Sequence, residues 1–397
     1  MREWLEVSRC LPADAGDAVL VGRAFVPACD GPVLVTVRDG RLLDLSGVAA
    51  TSSALAEFEH PARTVRGAAN LPVIGTLADV LANTPDDVRD GSRPWLLAPC
   101  DLQAVKAAGV TFVASMLERV IEEQARGDPA RAEAVRRSMT AVIGDDLAAI
   151  RPGSAEAARL KEVLIAAKAW SQYLEVGIGP DAEIFTKAQP MSSVGTGADV
   201  GIHPKSEWNN PEPEVVLFVN SRGATVGAAL GNDVNLRDFE GRSALLLGKA
   251  KDNNGSCAIG PFVRLFDEHF TLDHVRCASV RLEVEGDDGF RLAEQSDMSQ
   301  ISRDPLDIIG QAIDAHHQYP DGFAIFLGTL FAPTQDRDAP GKGFTHHVGD
   351  VVRISYAGLG VLVNKVAHCD RIPRWEFGIG ALMRNLAGRG LLRRTQP

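Results

Sequence analysis

The stretch WNNPEPEVVLFVNSRGATVGAALGND, residues 208–233, decides how the chain is read. Two apolar arms flank NSRG at 220–223, with Asn first and Gly last, the residue types that a tight reversal prefers. The spacing predicts a β-hairpin whose turn centres between Ser221 and Arg222. That register sets Glu212 opposite Gly231 and Glu214 opposite Ala229, with Asp233 just beyond Gly231 at the open end. Side chains alternate across a strand, so Glu212 and Glu214 share one face.

Three carboxylates gathered where strands end repel one another. They stay ionised together only when a cation or a ring of donors compensates them. An all-oxygen set without imidazole or thiolate favours Mg²⁺, with Mn²⁺ or Ca²⁺ as alternatives, over zinc. An ExE pair alone is equally compatible with solvated charges at a strand's start, so the residues downstream matter. Asn235, Arg237 and Asp238 follow Asp233, and GKAKDNNGSCAIGP at 248–261 then brings Lys249 and Lys251. A lysine beside a chelated substrate can orient it, move a proton or stabilise an enolate, because burial and a nearby cation lower its pKa. Spacing does not choose between these two lysines.

The 397 residues are 45% hydrophobic and 23% charged, enough for a substantial core. With 41 basic and 52 acidic side chains the formal charge is −11, and no Lys/Arg run is interleaved with aromatics, which argues against nucleic acid as a partner. Six dispersed cysteines without a CxxC pair fit a reduced, cytoplasmic protein. The N-terminus lacks the apolar core of a secretory signal, and no run approaches the roughly 18 apolar residues of a membrane span, so no membrane partner is expected. Short Val/Leu segments from residue 18, broken by Asp30-Gly31-Pro32 and Asp39-Gly40, read as a β-rich N-terminal domain over 1–95. Residues 96–397 form the second domain, with a helical segment over 103–172 and a β core over 181–397. The fold class expected is α+β, mainly β, too irregular in its helix placement for a doubly wound sheet.

The motifs EPEVVL at 212–217 and LGNDVNLRD at 230–238, with the lysine that follows at 251 and Gly260-Pro261, resemble the fumarylacetoacetate hydrolase superfamily. EIFTK at 183–187, MSSVG at 191–195, LGT at 327–329 and VGDVV at 348–352 extend the resemblance over roughly residues 100–390. It implies a curled β-sheet or β-roll catalytic core with a helical lid segment, and a metal held by Glu212, Glu214 and Asp233. It selects Lys251 over Lys249 as the catalytic lysine, places Phe185 and Lys187 in the family's Phe-x-Lys segment, and makes Ser192, Ser193 and Arg237 substrate contacts. Gly328 and Thr329 resemble a carboxylate-binding turn made by a backbone N–H and a hydroxyl. A homodimer or homotetramer is implied as well.

One departure is informative. The superfamily's C–C hydrolases carry Asn-Tyr-x-x-His-x-x-Glu, in which His and Glu activate water. In VTFVASMLERV at 110–120, Thr111 and Phe112 take the Asn-Tyr places, Ser115 stands at the His position beside the substrate, and Glu118 remains. Without the imidazole that dyad is incomplete. LGNDVNLRDFEGRSALLL, KAKDNNGSCAIGP, ISRDP, HQYPDGF, LGTLFAP and NLAGRGLL further resemble the branch that dehydrates 2-keto-3-deoxy-D-xylonate or D-arabinonate in non-phosphorylative pentose breakdown. That branch implies Mg²⁺-dependent formation of 2,5-dioxopentanoate from a 2-oxo sugar acid. Lys251 would handle the C3 proton or stabilise an enolate, and Glu183 or Glu118 would protonate the departing C4 hydroxyl. A hydrolase or decarboxylase of acylpyruvates, or a silent ligand-binding protein, are the competing readings. The pairs His316-His317 and His346-His347 read as polar loop residues.

Overall fold

An apolar run such as Val215–Val219 must bury both faces, and the architecture is organised around doing so. The computed structural model describes residues 1–126, 128, 131–132, 150–166, 170–331 and 333–392. Its first strands are β1 (Leu20–Val26), β2 (Gly31–Arg38), β3 (Arg41–Asp44), β4 (Val73–Thr76), β5 (Trp95–Leu97), β6 (Ala104–Gly109), β7 (Glu183–Ala188), β8 (Asp199–Ile202) and β9 (Asn209–Asn210). There follow β10 (Pro213–Val219), β11 (Thr225–Asp233), β12 (Asn235–Leu236), β13 (Cys257–Leu265), β14 (Ser279–Glu285), β15 (Arg291–Asp297), β16 (Phe323–Phe326), β17 (Val351–Tyr356) and β18 (Gly360–His368).

The main sheet runs β4-β3-β2-β1-β13-β11-β10-β16-β6-β7, with β5 joined to β1; it is open, not closed into a barrel. A second sheet runs β15-β14-β17-β18-β8, and β12 pairs with β9. The fold is mixed, with more strand than helix among the described residues. Every residue of β10 is buried. Val215, Leu217 and Val219 pack in one core with Leu282 and Ile354 of the second sheet, whereas Val216 and Phe218 join Val105, Ile259 and Phe326 on the other face. No helix among the described residues is long and apolar enough to cross a membrane.

The β-rich segment 1–95 does not build a sheet of its own. Strand β1 pairs with β13 through Leu20↔Arg264 and Val21↔Val263, and β5, at the expected boundary, pairs back onto β1. The 103–172 segment also differs from its helical expectation, since Ala104–Gly109 is strand β6, parallel to β16 and antiparallel to β7. Its alanines carry a helical propensity that pairing between the buried β16 and the half-buried edge strand β7 overrides. Helices do follow at Val113–Ala125, Ala155–Ala166 and Gln172–Ile178, and the rest of the expected helical stretch lies outside the described residues.

The β10–β11 hairpin forms, in a different register from the one expected. Asn220 N–H donates to Ala224 O at 3.0 Å, and Gly223 sits at φ 79°. Val219 therefore pairs with Thr225, so the reversal centres on Arg222, and a bulge at Phe218/Val219 advances β11 by one further residue. Glu214 thus faces Gly231, where Glu212 was expected. The ladder continues past the strand as Asp233 N–H donates to Glu212 O at 3.1 Å. Asp233 consequently stands directly across from Glu212.

Gly231 leaves no room for a side chain, because a Cβ there would lie 2.3 Å from Phe326 Cε1 and 2.5 Å from Val216 Cγ2. Gly231→Ala is expected to lower stability by about 1–3 kcal/mol through overpacking, read as a lower urea midpoint at unchanged slope.

Candidate active site

Because Glu212 and Glu214 alternate on one face and Asp233 lies opposite Glu212, the shifted register brings the three carboxylates together. One oxygen from each lies within 4.8 Å of the others, and all three residues are buried. Lys251, the last residue of the helix Leu247–Lys251, donates from Nζ to Glu212 Oε2 at 2.6 Å and to Asp233 Oδ2 at 3.1 Å. Lys249 is exposed beside the Phe239 ring, so the structure separates the two lysines. Arg119 Nη2 donates to the remaining Glu212 oxygen.

Electrostatics follow from this wiring. Burial pushes the Glu212 carboxyl up, but Lys251 and Arg119 outweigh it and hold the group below the usual carboxylate range. For Glu214 the balance goes the other way: burial and the charges of Asp233 and Glu212 push it well above that range, against the charge of Lys251 and the Gly328 N–H, which donates to Oε2 at 2.6 Å. The expected depression of Lys251 is reversed: burial would lower it, yet Asp233, Glu212 and Glu240 together hold the ammonium form. Asp233 Oδ1 has Lys187 Nζ at 2.8 Å, a charge contact outside hydrogen-bond geometry, and so lacks a donor. Three buried oxygen ligands, one driven toward neutrality and one missing a donor, fit a hard divalent cation such as Mg²⁺.

Several expected substrate contacts are committed elsewhere. Lys187 Nζ donates to Val234 O at 3.0 Å and Lys251 O at 2.7 Å, tying β7 to the segments that carry Asp233 and Lys251. Gly328 gives its N–H to Glu214, and Thr329 Oγ1 donates to Phe331 O at 3.2 Å, so the carboxylate this turn binds belongs to the protein. Ser192 Oγ donates to Gln189 O, Ser193 Oγ lies 3.3 Å from Cys257 Sγ, and both line a cavity of about 310 Å³ that no triad residue borders.

Arg237 is also spent. Its Nε donates to Glu122 Oε1 at 2.7 Å, its Nη1 to Pro333 O at 3.1 Å and its Nη2 to Glu118 Oε2 at 3.4 Å, while its guanidinium lies 4.2 Å from the Trp208 ring centroid. Glu122 accepts from Arg119 Nη1 at 2.8 Å, and Glu240 lies 3.2 Å from the same nitrogen. A buried chain Arg237–Glu122–Arg119–Glu212 therefore links the helix Val113–Ala125 to the triad. The sequence reading did not single out Arg119, Glu122 or Glu240. The signal available for the first two was the spacing of Ser115, Glu118, Arg119 and Glu122, which share one helix face. Ser115 is buried one turn before Arg119.

Glu183 opens β7 opposite Gly109, and a Cβ at Gly109 would fall 2.0 Å from Glu183 Oε2, so the glycine makes room for this carboxyl. Burial and the Glu240 charge raise it, against Arg119 and Lys251, to a pKa of about 7. All four histidines of the two pairs lie outside helices and strands, as expected, with His316 and His317 exposed. His346 is buried, its Nδ1 lies 3.1 Å from Asp350 Oδ2, and burial lowers the imidazole pKa against the pull of Asp350.

A family model described as "Fumarylacetoacetate (FAA) hydrolase C-terminal" matches residues 153–367. A "Probable 2-keto-3-deoxyxylonate dehydratase" of Haloferax volcanii is 31% identical over 194 residues, 49% of this chain and 63% of that protein. A "2-dehydro-3-deoxy-D-arabinonate dehydratase" of Saccharolobus solfataricus is 31% identical over 187 residues, 46% of this chain and 58% of that protein. The chain thus spans less than two thirds of the length of these curated relatives. Among solved structures, a 2-keto-3-deoxyarabinonate dehydratase superposes with a TM-score of 0.58 at 19% identity, covering 87% of this chain and 98% of that one. The same enzyme type complexed with magnesium and 2,5-dioxopentanoate gives 0.57 at 19% identity, covering 88% and 99%. These superpositions show a shared fold.

Removing Arg237 would leave the buried Glu122 with Arg119 but without its second cation. Arg237→Met is expected to cost about 3–5 kcal/mol in chemical denaturation, the penalty for leaving a buried carboxylate half-paired.

Proposed function

This chain belongs to the fumarylacetoacetate hydrolase family, and from that premise we propose that it is a Mg²⁺-dependent hydro-lyase. Its substrate is a 2-keto-3-deoxy pentonate of the D-xylonate or D-arabinonate type, and its product is 2,5-dioxopentanoate. The observation that carries this reading is the convergence of Glu212, Glu214 and Asp233 on Lys251, beside a helix, Val113–Ala125, whose sequence holds no imidazole to activate water. The names of the two archaeal relatives support it, and so does the solved neighbour that binds magnesium and 2,5-dioxopentanoate.

Glu212, Glu214 and Asp233 would hold the cation, which when bound would supply Lewis-acid polarisation of a 2-oxo acid and so acidify its C3–H bond, a contribution of several kcal/mol. The Lys251 ammonium, aimed by Glu212 and Asp233, would face the negative charge that develops on the 2-oxo group as the C3 proton passes to water. Lys187 fixes its reach by holding the Lys251 carbonyl at 2.7 Å. Glu183, with a pKa of about 7, holds the proton that leaves with the C4 hydroxyl as water. Loss of that water leaves a C3–C4 double bond; a proton removed from C5 and one returned to C3 give the C4–C5 enol, which tautomerises to an aldehyde at C5. A cytoplasmic homodimer or homotetramer belongs to the same reading.

Incubation of the purified protein with 2-keto-3-deoxy-D-xylonate or D-arabinonate and Mg²⁺ is expected to release an aldehyde, detected with a coupled aldehyde dehydrogenase. EDTA and Glu214→Ala are each expected to abolish release. Cleavage of acylpyruvates with no action on the pentonates would move the function to hydrolysis.

The acid form of Glu183 predominates below its pKa of about 7 and is lost above it. The wild-type rate is therefore expected to fall about tenfold per pH unit on the basic side. Glu183→Gln is expected to turn over slowly and without that limb; an unaltered limb would assign it to another group.

A further inference from the structure

Two buried amides continue the row of the triad. Asn210 pairs with Asn235, Asp233 N–H bonds Glu212 O, and Gly231 pairs with Glu214, one register throughout. Asn210 ends β9, and Glu212 and Glu214 follow it at two-residue spacing into β10, while Asp233 and Asn235 answer them in the same register from β11 and β12. Alternation therefore puts both asparagine side chains on the face of the triad.

Both residues are 0% exposed. Neither Nδ2 nor Oδ1 of Asn235 has a hydrogen-bond partner, nor does Oδ1 of Asn210, although the two amides are cross-strand neighbours. Asn210 Nδ2 turns instead to Pro211 O at 2.9 Å. Buried amides left open in this way are costly, and native interiors keep them where something other than the protein fills them. Two residues along a strand is about 6.6 Å. Asn235 thus sits one side-chain row beyond Asp233, on the side away from Gly231.

We propose that Asn235, with Asn210 Oδ1, forms a hydroxyl-recognising subsite that separates hydroxylated 2-oxo acids from plain ones. The inference rests on the dehydratase reading, in which a substrate gripped at C1 and C2 carries its hydroxyls at the distal carbons C4 and C5. A carboxamide presents one acceptor and two donors, the pair of roles a hydroxyl requires. A site built to bond a hydroxyl discriminates against the analogue that lacks it, because the buried amide is then left unpaired.

The test compares a 2-keto-3-deoxy pentonate with 2-oxopentanoate in Asn235→Leu, and in Asn235→Ala as a smaller replacement, each with Mg²⁺. The pentonate KM is expected to rise about tenfold, while the inhibition constant of 2-oxopentanoate and the Mg²⁺ affinity measured by calorimetry stay within twofold. Equal weakening of both acids in both variants would overturn the proposal, as would no change in either, the outcome if the amides hold only water. Should the wild type bind pentonate without turning it over, that result counts against the dehydratase reading alone. The same ratio is then read from calorimetric dissociation constants of the two acids.

Discussion

The charge balance around Glu212 is the constraint on which the site depends. Its carboxylate, buried at the mouth of the β10–β11 hairpin, is met by Lys251 on one oxygen and Arg119 on the other. Neither cation is local to the hairpin: Lys251 arrives from the helix Leu247–Lys251 and Arg119 from the helix Val113–Ala125. Removing either would leave carboxylates uncompensated in the core, a cost of several kcal/mol. Glu212 thus ties three parts of the chain into one arrangement, and Glu214, hydrogen-bonded by the Gly328 N–H and still pushed well above the usual carboxylate range, keeps the remaining demand for positive charge.

The same balance bears on the chemistry. In the proposed reaction Lys251 would meet charge developing on a 2-oxo acid, and because Lys187 holds its carbonyl at 2.7 Å, the backbone that carries the ammonium is already tied in place. Such preorganised groups contribute because they need not reorient as the reaction proceeds. On the helix that faces the triad, Arg119 and Glu122 are spent on each other and on Arg237 and Glu212. That helix offers charge and positioning, and its sequence contains no histidine to generate a hydroxide. Elimination needs no such nucleophile, whereas hydrolysis does.

The hairpin and its acidic mouth were legible because period-2 alternation and the NSRG reversal act over adjacent residues. Their register was not, since neither the longer Asn220–Ala224 reversal nor the bulge at Phe218/Val219 leaves a compositional mark. Lys251 could be chosen over Lys249 only through resemblance, because exposure of Lys249 is a tertiary fact. Resemblance also set Lys187, Arg237 and Gly328 against substrate, and the structure gives their donors to Val234 and Lys251 carbonyls, Glu122 and Glu214. The ion pairs of Arg119 and Arg237 span more than ninety positions, |i−j| of 93 and 115, beyond any local pattern. His346 is the loop residue it was read as, but its burial against Asp350 and, through it, Arg337 comes from a cluster that only the folded chain assembles.

The most direct test is the position of a metal. Crystals grown with Mn²⁺ should show one anomalous peak within bonding distance of an oxygen from each of Glu212, Glu214 and Asp233. A peak elsewhere, or none at a concentration that saturates binding in solution, would contradict the account.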